Sequence, residues 1–504
     1  MKLRAKSAHN RRGWPGYVAI CAVLLPLGCG SDDDAEPPRL SRDELMDPET
    51  CASCHPLHHQ EWSGSMHAYA AEDPIFLAMN ARGQRETGGA LGDFCINCHA
   101  PLAVREGLTT DGLNLADLPR KVQGITCYFC HNIKSVEGSH NAQLSLANDQ
   151  VMRGSISDPV ESRVHGAAYS PLFDRSKPES ATLCGTCHDI VVPSPPAPAE
   201  VHLERTFAEW QEGIFSKPES LTTCNACHMI PVPNSVIADA PGVGTRKARY
   251  SHDFAGVDLA LTPFPRQAEQ RALVEQSLDV TLRAELCVAE LPGSFVVELL
   301  LDNVGAGHRF PSGASHDRRV WAELRAFEGA SAVFESGVIA DSDAVAKSPD
   351  PNLLLLREGA FDQDGKEVHQ FWQIASTNND CSGARPGCTI PGPVTLDKTD
   401  PLFFATHVLH RFPKQGTATG TPDRVTLRVR MRAVGLDVLD DLIATGDLDP
   451  KFRSQIPTLD LLPNRQKTSV TLEWTPAVAA DPKFGFEKKL DGLGIARCVS
   501  NARQ

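Results

Sequence analysis

Hydrophobic and polar positions alternate in short stretches through the second half of the chain, and this pattern predicts β-strands. The stretches are separated by turns rich in Gly, Pro, Asn and Asp, a combination typical of an all-β sandwich. They cover residues 278–288, 294–301, 319–326, 332–338, 402–407, 424–432 and 469–474. Residues 436–443 instead show a helical pattern and predict a short helical insertion between late strands.

The first half of the chain shows little regular periodicity. Short helical pieces are predicted at 73–82 and 203–214, between long polar loops. Such a chain buries too little apolar surface of its own, so a bound group has to supply packing. At 504 residues the chain is also too long for one core. We therefore expect an α+β multidomain protein, with a loop-rich, mainly α domain at 47–260 and an all-β sandwich-like domain at 261–504.

The pattern C-x-x-C-H occurs five times in the first half. The five motifs are Cys51/Cys54/His55, Cys95/Cys98/His99, Cys127/Cys130/His131, Cys184/Cys187/His188 and Cys224/Cys227/His228. The chain has 16 Cys and 18 His, for which chance would give on the order of 0.02 such motifs. Two thiols at this spacing can add to the two vinyl groups of one haem, and the adjacent His then coordinates the iron.

Zinc sites and redox disulfides are the alternatives for C-x-x-C pairs. Every pair in this chain is followed at once by His, and five pairs leave one over if each zinc ion takes two. The sequence therefore predicts five covalently bound c-type haems, attached by the ten motif cysteines and ligated by the five motif histidines. The haems would form the core of the 47–260 domain.

The first 28 residues have the pattern of an export signal. They contain Lys2, Arg4, Lys6, Arg11 and Arg12 and no acidic residue, then an apolar run at 17–27 and Gly28-Cys29. An uncleaved membrane anchor is disfavoured because the run is too short to span a bilayer. We expect a signal peptide at 1–28, lipidation of Cys29 despite Pro26 in the lipobox, and an acidic tether at 29–46. The protein would be an exported lipoprotein of the periplasm or the outer membrane.

The formal net charge of the chain is −14 at pH 7. An acidic balance of this size argues against nucleic acid as a partner. It fits redox proteins that present Lys and Arg, and it fits ordinary solvation of the surface equally well.

Four cysteines lie outside the signal, the lipobox and the motifs. They are Cys287, Cys381, Cys388 and Cys498. In an exported protein an even remainder suggests two disulfides, for which three connectivities exist, with free thiols as the alternative. Cys381 and Cys388 bracket a Gly/Pro loop and would form a local link, whereas Cys287 with Cys498 would tie the chain end to an early strand.

The segment C-A-S-C-H-P-L-H-H-Q-E-W-S-G-S-M-H at 51–67 resembles the opening of the cytochrome c-554 family of multihaem electron carriers. In that family the W-x-x-S-x-H pattern carries a histidine that ligates a haem from the far side, which implies this role for His67. The segments 124–131, 183–189 and 207–229 are also similar to multihaem relatives. The resemblance covers 47 to about 255. This chain departs from it by having five motifs instead of four and an appended β domain.

The segment N-V-G-A-G-H-R-F-P-S-G at 303–313 resembles a turn in β domains fused to multihaem cytochromes. The resemblance implies that His308 reaches back from the β domain to a haem.

The ligand on the far side of each iron separates an electron carrier from an enzyme, because two histidine ligands leave no open position. Twelve histidines outside the motifs and the signal are candidates for five such positions. The predicted ligands are His67, His165, His252, His308, His202 and His140. His58 and His59 are too close to His55 to cross to the opposite face of its haem, although either could serve another haem. His316, His369, His407 and His410 lie on or near predicted strands and are expected to be ordinary surface or core residues.

Three classes of function remain open from the sequence. The leading one is an exported, membrane-tethered pentahaem electron-transfer protein without substrate chemistry of its own. The alternative is a multihaem oxidoreductase that acts on a small nitrogen or sulfur compound at one five-coordinate haem, with Tyr128 or Tyr250 lining the pocket. The third is a docking role for the β sandwich. No C-x-x-C-K is present, which argues against a catalytic haem of the nitrite-reductase type.

Overall fold

The structure of the chain is a computed structural model that describes residues 39–160, 162–381, 385–403, 406–462 and 469–501. The expected signal peptide, the lipidation site Cys29 and the first part of the tether lie outside the described residues. In the described ranges no helix is long and apolar enough to cross a membrane.

The helices of the described residues are mostly one or two turns long. They are α1 (Arg42–Met46), α2 (Pro48–Ala52), α3 (Pro56–Ser63), α4 (Met66–Tyr69), α5 (Pro74–Glu86), α6 (Ile96–His99), α7 (Pro101–Arg105), α8 (Cys127–His131), α9 (Pro178–Gly185), α10 (Thr206–Glu212), α11 (Cys224–His228), α12 (Gln267–Asp279), α13 (Leu436–Ala444) and α14 (Pro476–Ala480). Six of them begin with Pro, whose fixed φ and missing amide hydrogen suit the first helical position. Helices this short need tertiary packing to persist.

The strands fall into short pairs in the first half and long sheets in the second. They are β1 (Ile133–Val136), β2 (Leu144–Leu146), β3 (Val151–Gly154), β4 (Gly166–Tyr169), β5 (Ile190–Val192), β6 (Val201–Leu203), β7 (Pro231–Val236), β8 (Thr245–Tyr250), β9 (Leu282–Leu291), β10 (Ser294–Asn303), β11 (Arg319–Glu328), β12 (Ser331–Ser336), β13 (Leu355–Leu356), β14 (Gly359–Phe361), β15 (Ser376–Asn378), β16 (Val408–Phe412), β17 (Ala418–Thr419), β18 (Arg424–Arg432), β19 (Leu459–Leu461), β20 (Leu472–Trp474), β21 (Gly485–Leu490) and β22 (Gly494–Ser500).

Two antiparallel six-stranded sheets form the second half. One has the order β16-β10-β9-β22-β21, with β17 also paired to β10, and the other has the order β12-β11-β18-β19, with β13 on β11 and β20 on β18. Leu299 pairs with Leu286 in the first sheet, and Leu324 pairs with Leu427 in the second. These residues belong to one core shared by both sheets. The two sheets therefore face each other across an apolar layer, and the predicted sandwich-like β domain is confirmed.

The predicted elements of the second half are largely confirmed. The predicted strands at 294–301, 319–326 and 424–432 are strands over their whole length. Those at 332–338 and 469–474 are strands over part of their length, and the predicted helix at 436–443 lies within α13. Two predictions are wrong. Leu278 lies in the last turn of α12, where it is buried one turn after Val274, so the strand begins only at Leu282. The described part of 402–407 is a turn and a coil residue, and β16 begins at Val408.

The first half carries its motifs on short elements around a second apolar core. Leu45 and Met46 of α1 are buried in this core beside Phe129. The tether was expected to reach residue 46, but α1 begins with a Ser41 capping box and belongs to the folded unit. Of the helical pieces predicted here, 73–82 lies inside α5, whereas 203–214 contains the end of β6 followed by α10.

The two halves pack directly on each other. Ile75 and Ala78 of α5 meet Leu439 and Leu442 of α13 in one apolar cluster. Ion pairs flank this contact, with Arg82 Nη1 2.7 Å from Asp441 Oδ2 and Arg85 joined to Asp447. Residues 39–504 form a single unit by their contacts. The β domain is therefore positioned to contribute side chains to the motif-bearing half.

Two disulfides link the four remaining cysteines. Cys287 on β9 is bonded to Cys498 on β22, and Cys381 is bonded to Cys388. Both pairings are those expected from the sequence. The Cys287–Cys498 disulfide joins the neighbouring strands β9 and β22 of one sheet.

Candidate haem-binding site

Each C-x-x-C-H motif lies on a helical turn. The third and fifth motifs are the helices α8 and α11. In the first, second and fourth motifs the histidine amide donates to the carbonyl of the first cysteine. The His55 amide donates to Cys51 at 2.8 Å, and the His188 amide donates to Cys184 at 3.0 Å. Because residues four apart lie on one face of a helix, the first thiol and the imidazole of each motif point to the same side. This is the arrangement that haem attachment requires.

The ten motif thiols form no disulfide in the described structure, and nine of them are at least partly buried. The exception is Cys227 in α11, which is exposed. Burial raises the pKa of Cys95 and of Cys130 to about 12. Buried, unpaired thiols of this kind fit covalent attachment of a group that fills the space around them.

Cys54 of the first motif shares its partial exposure with eight other motif thiols. The Ser53 hydroxyl donates to Cys54 Sγ at 3.8 Å. Backbone hydrogen bonds fix this position, because the Cys54 amide donates to the Cys51 carbonyl at 3.2 Å and the Asp239 amide donates to the Cys54 carbonyl at 2.7 Å. The attachment of Cys54 to a haem stays a prediction.

Thiols of different motifs lie within hydrogen-bonding reach of each other. The pairs are Cys51 with Cys127, Cys98 with Cys187, and Cys184 with Cys224. They join the first motif to the third, the second to the fourth, and the fourth to the fifth. Haems attached at joined motifs would be neighbours.

Four motif histidines are oriented by backbone carbonyls. Nδ1 lies 3.0 Å from the Ile237 oxygen in His55, 3.0 Å from the Ala70 oxygen in His99, 2.5 Å from the Arg153 oxygen in His131 and 2.8 Å from the Ala255 oxygen in His228. A carbonyl only accepts, so Nδ1 carries the hydrogen and donates it. The lone pair is then on Nε2, which is free to bind a metal, and the ring is held in a fixed orientation.

Three of the motif histidines face a second histidine. Ring centroids are 6.2 Å apart for His55 and His165, 6.3 Å for His131 and His252, and 6.2 Å for His188 and His67. A metal–imidazole bond is about 2 Å long, so two rings on opposite sides of one iron have centroids about 6 Å apart. The structure therefore brings the predicted ligands His165, His252 and His67 to a separation that fits an iron between each pair.

Two of the histidines that face motif histidines are also held by a hydrogen bond from Nδ1 to a backbone carbonyl. Nδ1 donates to the Gly166 oxygen at 3.0 Å in His165 and to the Tyr250 oxygen at 3.0 Å in His252. Burial lowers the pKa of His252 and of His67 to about 3. The rings are therefore neutral, with a lone pair available for coordination.

His308 of the β domain approaches the fifth motif. Burial lowers the pKa of His308 to about 4, and the neighbouring His228 and His188 disfavour its charged form further. Its Nδ1 donates to the Arg309 oxygen at 2.8 Å, as in His165 and His252. Glu209 of α10 accepts from the Arg309 amide at 3.2 Å and thereby ties this turn to the motif-bearing half. His308 is placed where the resemblance put it, and its ligation of a haem stays a prediction.

His99 of the second motif has a different neighbour. The Phe76 ring is stacked on it, with centroids 3.9 Å apart and planes 3° from parallel. None of the ring contacts among the described residues joins His99 to a second histidine. The second motif thus differs from the first, third and fourth motifs, whose histidines face a second histidine.

Two predicted ligands are not directed at a motif. His202 is exposed in the middle of β6, between the buried Val201 and Leu203, because alternate residues of a strand face opposite sides. His140 is half-buried, and its Nε2 lies 2.8 Å from the Gln143 amide nitrogen, which donates to it. The exposure of His202 and the engaged Nε2 of His140 argue against the ligand role predicted for them.

Of the remaining histidines, one lies among the histidines of the site and several others have partners elsewhere. His58 lies edge-on to His252 with centroids 4.8 Å apart, and its buried Nδ1 has no hydrogen-bond partner in the described residues. His59 instead is half-buried and pairs with the exposed Glu49 at 3.2 Å. In the β domain His407 lies 3.0 Å from Asp302, and His410 bonds the Asn352 carbonyl at 2.9 Å, as expected of ordinary core residues.

Sequence reasoning missed two residues near the second motif, Phe76 and Glu204. Phe76 continues the apolar face of a helix, so the sequence gives no separate sign of its contact with His99. Glu204 stands in a segment without a motif. His316 was expected to be an ordinary surface or core residue, and it is buried, with both ring nitrogens lacking a hydrogen-bond partner in the described residues.

Comparisons with known proteins agree with this geometry. Residues 50–132, which contain the first three motifs, match the family model of cytochrome c554 and c-prime. A solved structure, a penta-heme cytochrome c552 from Thermochromatium tepidum, covers 82% of this chain and 96% of its own at 18% identity, with a TM-score of 0.53. At this identity the likeness shows a shared fold. No curated protein matches the chain.

The class of protein follows from these observations together. Five C-x-x-C-H turns, buried unpaired thiols, facing imidazoles and the matched family segment support a multihaem c-type cytochrome with covalently bound haem. The resemblance to the cytochrome c-554 family is confirmed over residues 50–132.

Proposed function

We propose that the chain is an exported pentahaem c-type cytochrome that carries electrons between redox partners in the periplasm or at the cell surface. The observation that carries this proposal is the facing of motif histidines by second histidines at 6.2–6.3 Å. A bound haem iron accepts and releases single electrons. The role of the chain is to hold two neutral imidazoles to each of several irons, which excludes other ligands.

Contacts between motifs support transfer along the protein. The thiol pairs Cys98–Cys187 and Cys184–Cys224 link the second, fourth and fifth motifs in one series. The pair Cys51–Cys127 links the first and third. Attachment points this close would place the haems within each of these two groups next to each other, which supports electron transfer between them.

The partners and the location are part of the proposal. The net charge of −14 fits redox partners with basic surfaces. The signal at 1–28 and a lipid on Cys29 would tether the protein to a membrane as a periplasmic or outer-membrane lipoprotein. Labelled palmitate should enter the wild type and not Cys29→Ala, which should be released in soluble form. Equal labelling of both would refute the anchor.

The test of the electron-carrier proposal is a haem count combined with electron paramagnetic resonance (EPR) of matched variants. After expression with a cytochrome c maturation system, mass spectrometry should show five haem additions per chain. His165→Ala should convert one low-spin haem to high spin, because His165 faces His55. The control His202→Ala removes an exposed histidine and should leave the spectrum unchanged. Identical spectra for the two variants would contradict the proposal.

A second function is favoured by the surroundings of His99. Its ring meets Phe76 and, in the described residues, no second histidine, so the haem of the second motif is the candidate for a five-coordinate iron. The protein would then be a multihaem oxidoreductase acting on a small nitrogen or sulfur compound. A high-spin signal that shifts on addition of cyanide, nitrite or hydroxylamine would support this function, and a wholly low-spin spectrum would exclude it.

The two tyrosines expected to line such a pocket have other roles. The Tyr128 hydroxyl donates to the Asp149 carbonyl at 2.9 Å, and the Tyr250 ring lies under the Arg175 guanidinium at 4.7 Å. Residues near the second motif, such as Glu204, are better placed to line a pocket at His99.

A further inference from the structure

Helix α10 connects the fourth motif to the fifth. The Phe207 amide at its start donates to the His188 carbonyl at 3.1 Å, so the first turn of the helix is fixed to the fourth motif. The Trp210 indole donates to the Thr222 carbonyl at 2.9 Å, shortly before the fifth motif. Phe207 and Trp210 also form one apolar cluster, against which Cys224 of the fifth motif packs. The position of α10 is therefore set by both motifs.

Glu209 on α10 is directed at the β domain. Its side chain is buried. The Oε2 atom accepts one hydrogen bond from the Ser312 hydroxyl at 2.6 Å and another from the Arg309 amide at 3.2 Å. Ser312 and Arg309 both belong to the turn that presents His308. One carboxylate oxygen of α10 therefore holds this turn at two points.

Thr206, one turn earlier on α10, completes the hydrogen-bond network. Its hydroxyl accepts from the Gly313 amide at 3.1 Å and lies 2.8 Å from the Ser312 hydroxyl. Because Ser312 uses its hydrogen for Glu209, Thr206 donates to Ser312. Each hydroxyl hydrogen of the network thus has one acceptor, and the direction of every bond is determined.

Arg309 transmits this constraint to the His308 ring. Its amide donates to Glu209, and its carbonyl accepts from His308 Nδ1 at 2.8 Å. A partner at the second ring nitrogen of a metal-binding histidine fixes the tautomer and the orientation of the ring. The orientation of His308 therefore depends on Arg309, and the position of Arg309 depends on Glu209.

The backbone on either side of His308 has little room to move. Gly307 has a φ of 73°, and a Cβ added there would lie 3.2 Å from the Phe215 ring. A Cβ added at Gly392 would lie 3.3 Å from the carbonyl carbon of His308. The turn is thus packed closely against its neighbours, and hydrogen bonds from α10 decide where its ring is held.

We propose that Glu209 is a positioning residue for His308, which it holds toward the haem of the fifth motif through the Arg309 peptide. The inference rests on the proposed electron-carrier function, in which His308 is the second histidine ligand of that haem. Without the Glu209 carboxylate, the Arg309 amide and the Ser312 hydroxyl lose their acceptor. The His308 ring is then free to turn away from the iron.

The test is the cyanide affinity of the low-spin haem that His308→Ala converts to high spin, measured by EPR titration of the full, haem-loaded protein. Cyanide has to displace His308 from this iron, so a loosely held His308 is displaced more easily. Glu209→Ala should bind cyanide at this haem on the order of ten-fold more tightly than the wild type. Glu209→Gln keeps a side-chain oxygen that accepts both hydrogen bonds and should retain the wild-type affinity.

Glu86→Ala is the matched control. Glu86 on α5 also accepts hydrogen bonds from the β domain, from Trp372 Nε1 at 2.8 Å and from Gln373 Nε2 at 3.2 Å. Its removal weakens the contact between the two halves away from the turn of His308, and the cyanide affinity should stay at the wild-type value. An equal rise in Glu86→Ala and Glu209→Ala would show a general loosening of the protein and would overturn the inference.

Glu209→Asp covers the case in which Glu209→Ala fails to mature. Its side chain is shorter by a methylene group, so the carboxylate withdraws from Arg309 and Ser312, and the cyanide affinity should rise by a smaller factor. A wild-type affinity in mature Glu209→Ala or Glu209→Asp would contradict the inference, as would a His308→Ala spectrum without a new high-spin haem. Failure of the proposed function itself would appear in the wild type, as a haem count below five or as haems that take up no electrons.

Discussion

Phe76 stacks on His99 almost perfectly in parallel, 3.9 Å between ring centroids. The contact joins α5 to the motif whose histidine faces no second imidazole among the described residues. Stacking on one side and the Ala70 carbonyl at Nδ1 fix the plane of the His99 ring. The orientation of this ligand is therefore set by an apolar contact and a backbone hydrogen bond.

Replacing Phe76 by Leu should change the high-spin EPR signal and leave the low-spin signals as they are. The smaller side chain removes the stack and lets the His99 ring turn, at a cost of about 1 kcal/mol in folding stability. Phe254→Leu is the matched control, because the Phe254 ring contacts His67 at 4.5 Å and His252 at 5.6 Å. That variant should alter low-spin signals instead. If Phe76→Leu changed the low-spin signals and Phe254→Leu changed the high-spin signal, the role given to Phe76 would be refuted.

Replacing His308 by Ala should convert one low-spin haem to high spin while five haems remain attached. His308 is a neutral ring beside His228, with Nε2 free for a metal. His410→Ala is the control, since His410 is a partly buried β-domain histidine bonded to Asn352. An unchanged spectrum in folded His308→Ala would make His308 a turn residue and the β domain a docking module.

The two disulfides should differ in their contribution to stability. Cys287 and Cys498 are 211 positions apart, and Cys381 and Cys388 are 7 apart. Loop-closure entropy then gives about 5 kcal/mol for the long link and about 2 kcal/mol for the short one. Denaturant unfolding of the two double Cys→Ser variants measures the difference. Equal losses would show that chain entropy does not govern these links.

Asp73 should make stability depend on pH. Burial raises its pKa to about 6 from 3.8. A carboxyl whose folded-state pKa is raised contributes stability that is fully present below the unfolded pKa and is lost as pH rises through about 6. Asp73→Asn keeps the cap on the Ile75 amide of α5 without ionising. The stability of the wild type relative to Asp73→Asn should therefore fall by on the order of 2 kcal/mol between about pH 4 and about pH 7.

Asp449→Asn is the control. Asp449 also caps a helical turn, but hydrogen bonds from Lys451 lower its pKa. Its contribution is fully present above the unfolded pKa and is lost only as pH falls below that value. Between about pH 4 and about pH 7 the stability of the wild type relative to Asp449→Asn should therefore stay constant. Unfolding free energies measured across this pH range should separate the two variants. A constant difference between wild type and Asp73→Asn would contradict the account of Asp73.

The features that could be predicted from the sequence are those that depend on local patterns of residues. The C-x-x-C-H turns follow from spacing, and β10, β11 and β18 follow from alternation. The α12 helix was missed, although Val274 and Leu278 mark its buried face one turn apart. The surface position of His202 was also readable, because it stands between two apolar residues of a strand.

The pairing of ligands could not be read in the same way. Twelve histidines compete for five positions, and which one faces a motif depends on contacts far apart in the chain, such as His55 with His165. The hydrogen bond from the Asp239 amide to the Cys54 carbonyl is likewise a contact between residues far apart in the chain. The neighbour of His99 comes from an apolar helix face that looks like any other. Glu204 owes its position to β6 and to the β domain, and no motif marks it.

The most direct test of the account is the EPR spectrum of the fully oxidised, haem-loaded protein, quantified per haem. The four motif histidines with a facing histidine or His308 beside them predict four low-spin haems, and His99 predicts one high-spin haem. A spectrum with several high-spin haems in the wild type would contradict the facing pairs His55–His165, His131–His252 and His188–His67 on which the account rests.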